Sequence, residues 1–169
     1  MATATNFVTE EQYLKMDTHA EYFDGRLIEQ PTTGLTRGTW CWAIKKYLDQ
    51  LGLRGIPEIT THVAKGHWRL PDVLVLRPDA PAEEYPTHPP LMVFEVLSPG
   101  QDMEEMLFKL NAYEAMGVPV ILIVSPRTRI WHRFYEGNLR IVTGIVTCKS
   151  ASFADELSLD LDAINRLVV

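Results

Sequence analysis

Leu91-Met92-Val93-Phe94-Glu95-Val96-Leu97 sets a carboxylate in the middle of an otherwise apolar run. Its length, its apolar content and the Ser98-Pro99-Gly100 that follows mark it as a buried strand. A strand needed only for packing would carry Val or Ile in place of Glu95. An isolated charge there would cost several kcal/mol or more, so Glu95 must be paired, hydrogen-bonded or bound to a metal. Two readings stay open on this segment alone: a metal-dependent active site, or a structural ion pair with a Lys or Arg.

Working outward, Asp102 to about Met116 reads as a helix with Met103, Met106, Leu107 and Leu110 on its apolar face and Gly117 at its end. Val118 to Val124 is a second buried strand, stopped by Ser125-Pro126. Strand, helix and strand together have the form of a right-handed parallel crossover. Upstream, Thr9 caps a short helix, and Asp24-Gly25 turns a hairpin between Tyr22-Phe23 and Arg26-Leu27-Ile28. Trp40, Ala43, Ile44, Tyr47, Leu48 and Leu51 recur at helical spacing from Thr36 to Leu51, and Gly52 closes that helix. Strands are expected over Ile59–Ala64 and Arg69–Leu76. Arg77 to Pro90, with five prolines, is a surface loop. Arg129–Tyr135 and Leu139–Val146 form a hairpin around Glu136-Gly137-Asn138, and Leu157–Leu161 leads into a terminal helix. The fold class is α/β (mixed α+β), a mixed sheet with flanking helices in one domain over 1–169.

The 169 residues fit one domain with a sizeable core. No apolar run reaches the ~18–20 residues needed to span a membrane, and the first six residues lack the features of a signal peptide. Cys41 and Cys148 are too few and too far apart for a zinc site or a disulfide framework, and fit a reduced, cytoplasmic chain. A net charge of −6 gives no general basic footprint for nucleic acid. It does not exclude a nucleic-acid enzyme, because a bound metal brings its own charge. His19, His62, His67, His88 and His132 show no metal-ligand spacing. No GxSxG, GxGxxG or P-loop pattern is present.

Asp72, after Pro71, heads an apolar strand. Its ordinary reading is a solvated strand-start Asp. Its functional reading is a carboxylate beside Glu95, and such an Asp/Glu pair suits Mg²⁺, a hard ion that takes oxygen ligands and keeps waters. Glu105, Lys109 and Tyr113 form one helical stripe at i, i+4, i+8. Lys109 is ordinarily a surface partner of Glu105. Functionally it would reach back to the carboxylates, to orient an attacking water or stabilise phosphate charge. Glu21 is ordinarily an exposed strand-edge residue, and functionally a further acidic group. The four tryptophans fit core or interface positions better than a base-stacking platform.

Taken together, Ala20–Pro31, Leu70-Pro71-Asp72-Val73-Leu74-Val75, Val93-Phe94-Glu95-Val96-Leu97-Ser98-Pro99, Lys109–Pro119 and Leu157–Leu161 resemble the Uma2 (DUF820) family of restriction-endonuclease-like proteins. The resemblance runs from about Thr9 to the end of the chain. It implies a PD-(D/E)xK nuclease fold and a Mg²⁺-dependent endonuclease of DNA, with Mn²⁺ as a substitute. Asp72 and Glu95 would be the metal carboxylates, the Val96 carbonyl a further ligand, Lys109 the catalytic lysine and Glu21 the additional acidic residue. Leu97 holds the place where the lysine of this fold usually stands, and Lys109 on the following helix takes its role. Homodimerisation is an expectation of the same kind. The chain departs from the family at Glu105, where many members carry Asp, and at Ser125-Pro126, where Asp-Pro is common. In Leu35-Thr36-Arg37-Gly38 the family's frequent His is missing. The alternative function is a catalytically inactive nuclease-fold homodimer that binds DNA or regulates, with Glu95 and Lys109 paired in a closed site.

Overall fold

Proline 71 divides what the apolar pattern suggests is one strand. Arg69–Leu76 is two strands in two different sheets, because Leu70-Pro71-Asp72 leaves one sheet and enters the other. The computed structural model describes residues 7–149 and 156–168; Met1–Asn6, searched above for a leader, lie outside them. In chain order the elements are α1 (Glu10–Leu14), β1 (Ala20–Phe23), β2 (Arg26–Glu29), α2 (Leu35–Gln50), β3 (Gly55–Pro57), β4 (Thr61–Ala64), β5 (His67–Arg69), β6 (Val73–Val75), β7 (Met92–Val96), α3 (Met103–Met116), β8 (Val120–Ser125), β9 (Ile130–Tyr135), β10 (Asn138–Val142), β11 (Ile145–Cys148), β12 (Leu157–Asp160) and α4 (Leu161–Leu167).

The main sheet has the order β10-β9-β8-β7-β6-β3. Within it β7 and β8 are parallel, Glu95 opposite Ile123, and α3 is the crossover between them. The neighbouring pairs are antiparallel, so the sheet is mixed as expected. A second sheet, β2-β1-β5-β4, carries the Asp24-Gly25 hairpin. The expected hairpin strand over Leu139–Val146 breaks at Gly144, whose φ of 63° releases β11 to pair with β12 in a separate ribbon. The short strand β3 is missed by the sequence reading. The segment Leu157–Leu161 leads into a terminal helix as expected, with Leu161 as the first residue of α4.

Both faces of the main sheet are covered. Val73, Val75, Met92, Phe94 and Val96 pack against Trp40, Ala43, Ile44 and Leu48 of α2. On the other face Leu74, Val93, Ile121 and Ile123 pack against Met106, Leu110 and Tyr113 of α3. Strands buried on both faces read as continuous apolar runs, which is why β7 and β8 were legible. Helix α3 is capped as its sequence demands. The Asp102 side chain accepts from the amides of Glu104 and Glu105, and Gly117 ends the helix at φ 99°. Met103 is 44% exposed, so the apolar face of α3 is narrower than its periodicity suggests. No helix among the described residues is long and apolar enough to cross a membrane.

Because the Gly117 conformation is left-handed, Gly117→Ala is expected to lower stability by about 1–2 kcal/mol in urea unfolding. A loss below a few tenths of a kcal/mol would show that α3 ends without needing that glycine.

Candidate active site

The turn of register that brings β6 beside β7 builds the site. Val73 pairs with Phe94 and Leu74 with Val93. One step further, Asp72 lies beside Glu95, and its Oδ2 accepts the Val96 amide at 2.6 Å. Alternation puts Glu95 on the face of Val93, toward α3. There Lys109 and Tyr113, one helical turn apart, meet it. Lys109 Nζ lies 2.9 Å from Glu95 Oε1, and the Tyr113 hydroxyl donates to the same oxygen at 2.9 Å.

Three further charged groups close the cluster. Glu21 Oε1 lies 2.8 Å from Lys109 Nζ and accepts the Leu70 amide at 3.0 Å, while Arg69 Nη1 donates to Oε2 at 2.8 Å. Lys109 also donates to the Leu70 carbonyl at 3.0 Å. Arg37, in the first turn of α2, donates from Nε to Asp72 Oδ1 at 2.6 Å, and its Nη2 contacts the same oxygen. Among the described residues these six, with Thr61, are the buried polar or charged side chains. Three cations thus face three carboxyl groups.

The ordinary readings of Asp72, Glu21 and Lys109 as surface residues are overturned: they are 1%, 1% and 4% exposed. Lys109 turns inward to Glu21 and Glu95 rather than to Glu105, which is exposed. Arg37 and Arg69 were missed as members of the site. The available signal was charge balance, since three buried carboxylates with one lysine leave two charges uncompensated. Arg69 lies against the rings of Phe23 and Phe108, 5.8 and 5.2 Å from their centroids, and its Nε and Nη2 have no hydrogen-bond partner among the described residues.

Lys109 is shared unequally. Burial alone would raise Glu21, but Lys109, Arg69 and the Leu70 amide outweigh it and hold Glu21 below the ordinary carboxylate value. Glu95 has fewer positive neighbours. Burial pushes it up to about 8 against the pull of Lys109, and the nearby Asp72 adds to the rise. Burial disfavours the Lys109 ammonium, but Glu21 and then Glu95 hold it charged, above its ordinary value. Burial and then Glu95 hold Tyr113 well above its ordinary value, so it stays a donor.

Two adjoining cavities lie over the cluster, both bordered by Pro31, Gly100 and Gln101. The larger, about 990 Å³, is reached by Arg37 and Arg127. The smaller, about 230 Å³, is reached by Glu21, Arg69 and Lys109. Among the described residues no three His, Cys, Asp or Glu side chains form a ready-made metal cage. The donor chemistry nevertheless fits a hard divalent ion. Mg²⁺ is commonly held by one or two carboxylates plus waters, and Asp72, at the entry to β6, and Glu95 on β7 are two neighbouring carboxylates.

A family model matches residues 10–161, and its description is Uma2, "Putative restriction endonuclease". The chain belongs to the Uma2 family. A solved structure similar to this Uma2 chain is described as a putative nuclease belonging to DUF820 from Anabaena variabilis. It is 18% identical, with a TM-score of 0.73, covering 96% of this chain and 99% of that one. At that identity the likeness concerns the fold, and it agrees with the mixed sheet and crossover described above. A DrdV–DNA complex solved by cryo-electron microscopy is more distant, 14% identical with a TM-score of 0.43. It covers 78% of this chain and 11% of that one. No curated protein matches in sequence.

The raised Glu95 value has a consequence for the metal-free chain. Between the ordinary carboxylate value of 4.5 and about 8, folded Glu95 holds a proton that the unfolded chain has released. Its contribution to stability is therefore full below the lower value and is lost as pH rises through the upper one. Glu95→Gln stays neutral throughout. In EDTA, its stability relative to wild type is expected to improve between about pH 5 and about pH 8, measured by urea unfolding. A difference that stays flat over that range would contradict the assignment.

Proposed function

We propose that this Uma2 chain is a Mg²⁺-dependent endonuclease that hydrolyses phosphodiester bonds of DNA, with Mn²⁺ as a substitute. The observation that carries this reading is the pairing of Asp72, at the entry to β6, with Glu95 on the adjacent β7, with the Lys109 ammonium 2.9 Å from Glu95. Asp72, Glu95 and the Val96 carbonyl would hold the ion. When bound, it supplies Lewis-acid stabilisation of phosphate charge and lowers the pKa of water.

The chain's own residues do the rest. Lys109, held charged, acts as an electrostatic stabiliser of the phosphate and an orienter of the attacking water, not as a base. Glu21 and the Leu70 carbonyl fix the ammonium in place, so Glu21 acts through Lys109. Tyr113 fixes the orientation of the Glu95 carboxyl. The cleft of about 990 Å³ is where the DNA strand would lie, with Arg127 on its wall. A homodimeric, cytoplasmic protein completes the proposal.

The closed ion network favours a second reading, a nuclease-fold homodimer that binds DNA or regulates without catalysis. Cleavage of supercoiled plasmid separates the two. With Mg²⁺ or Mn²⁺, wild type is expected to nick and linearise the plasmid, and EDTA to stop it. Asp72→Asn, Glu95→Gln and Lys109→Met are each expected to lower the rate by on the order of 10²–10³. Full cleavage by Asp72→Asn or Glu95→Gln would refute the site. No cleavage by wild type of duplex or single-stranded DNA would favour the second reading.

A further inference from the structure

Neither Asp72 nor Glu95 lines either cavity; Arg37 borders the larger one, between Asp72 and the cleft. Arg37 is 9% exposed and stands in the first turn of α2, where the helix dipole opposes a cation. Among the described residues its hydrogen-bonded partner is Asp72. It takes Oδ1, while the Val96 amide takes Oδ2. The guanidinium therefore covers the Asp72 oxygen that has no backbone donor.

The other two cations have more neighbours. Lys109 is bound by Glu21, Glu95 and the Leu70 carbonyl. Arg69 is bound by Glu21 and lies against two aromatic rings. A divalent ion added to three cations and three carboxyl groups leaves excess positive charge, which is relieved if one resident cation moves out. Among the described residues Arg37, like Arg69, pairs with one carboxylate, but it has no aromatic ring against it, and it already borders the larger cavity.

We propose that Arg37 is the resident counter-ion of Asp72. It holds the carboxylate in the metal-free chain, gives up Oδ1 to the divalent ion, and turns into the cleft beside Arg127 to contact a phosphate of the substrate strand. A guanidinium suits both stations, because its fork of donors matches carboxylate and phosphate alike. This rests on the proposed function and adds to it a residue that couples metal binding to substrate binding.

The test measures binding, apart from turnover. Mn²⁺ is titrated calorimetrically into wild type, Arg37→Gln, Arg37→Lys and Asp72→Asn without DNA. Affinity for a labelled DNA duplex is then read by fluorescence anisotropy, with Ca²⁺ as the ion. Arg37→Gln is expected to bind Mn²⁺ roughly tenfold tighter or more, since a charge-assisted contact no longer competes. It is expected to bind the duplex more weakly, with a salt slope shallower by about one. A purely structural arginine would weaken both. Arg37→Lys is expected to lie between wild type and Arg37→Gln in Mn²⁺ affinity, and it carries the comparison if Arg37→Gln does not fold. If wild type binds Mn²⁺ and Asp72→Asn does not, but the Arg37 variants bind no tighter than wild type, the exchange is refuted and the metal site stands. If wild type and the Arg37 variants all fail to bind Mn²⁺, the exchange and the metal-dependent function fall together.

Discussion

One ammonium shared between two carboxyl groups organises this molecule. Lys109 reaches Glu21 from one sheet and Glu95 from the other, and stands on the helix that crosses over between β7 and β8. Removing one member of a buried pair costs about 3–5 kcal/mol, because the remaining charge has no water to turn to. Each member of the cluster therefore fixes the others. Glu21 places β1, Arg69 places β5, Asp72 places the entry to β6, and Arg37 ties the first turn of α2 to them. An apolar filling would hold these elements together at least as well. Keeping six ionisable groups where packing needs none is the strongest physical reason to look for chemistry there.

The unequal sharing gives the two glutamates different work. Glu21 has a full set of donors and stays ionised, so it serves to hold Lys109. Glu95 is under-compensated, and its charge is the one that additional positive charge would stabilise. Asp72 lies beside it under Arg37. The cluster thus opens to a cavity on its Glu21–Arg69–Lys109 side, while Asp72 and Glu95 lie behind Arg37 and Lys109, and it is on the Asp72–Glu95 side that the proposed ion would sit.

Much of this was legible in the sequence, for physical reasons that differ by segment. Glu95 stood out because a central parallel strand is otherwise all apolar, and α3 because Asp102 and Gly117 bracket its periodicity. Asp72 and Lys109 were found as candidates, yet their burial was not, since neither a Pro-Asp pair nor an i, i+4 Glu–Lys spacing reveals which side faces the core. The break at Pro71 was hidden within a run that satisfies strand patterning from Arg69 to Leu76; only the sheet pairings show two strands. The break at Gly144 was hidden for the same reason. Arg37 and Arg69 escaped because pairing across 35 and 48 residues leaves no local pattern. They become visible only when the buried charges are counted.

Crystals grown with Mn²⁺, measured for anomalous scattering from the ion, test the central claim most directly. The account predicts a peak between the Asp72 and Glu95 carboxylates, with Lys109 still on Glu21. Ordered density with Arg37 and Lys109 in their present pairs, and no peak at Asp72 and Glu95 under saturating Mn²⁺, would contradict it and leave the cluster a structural one.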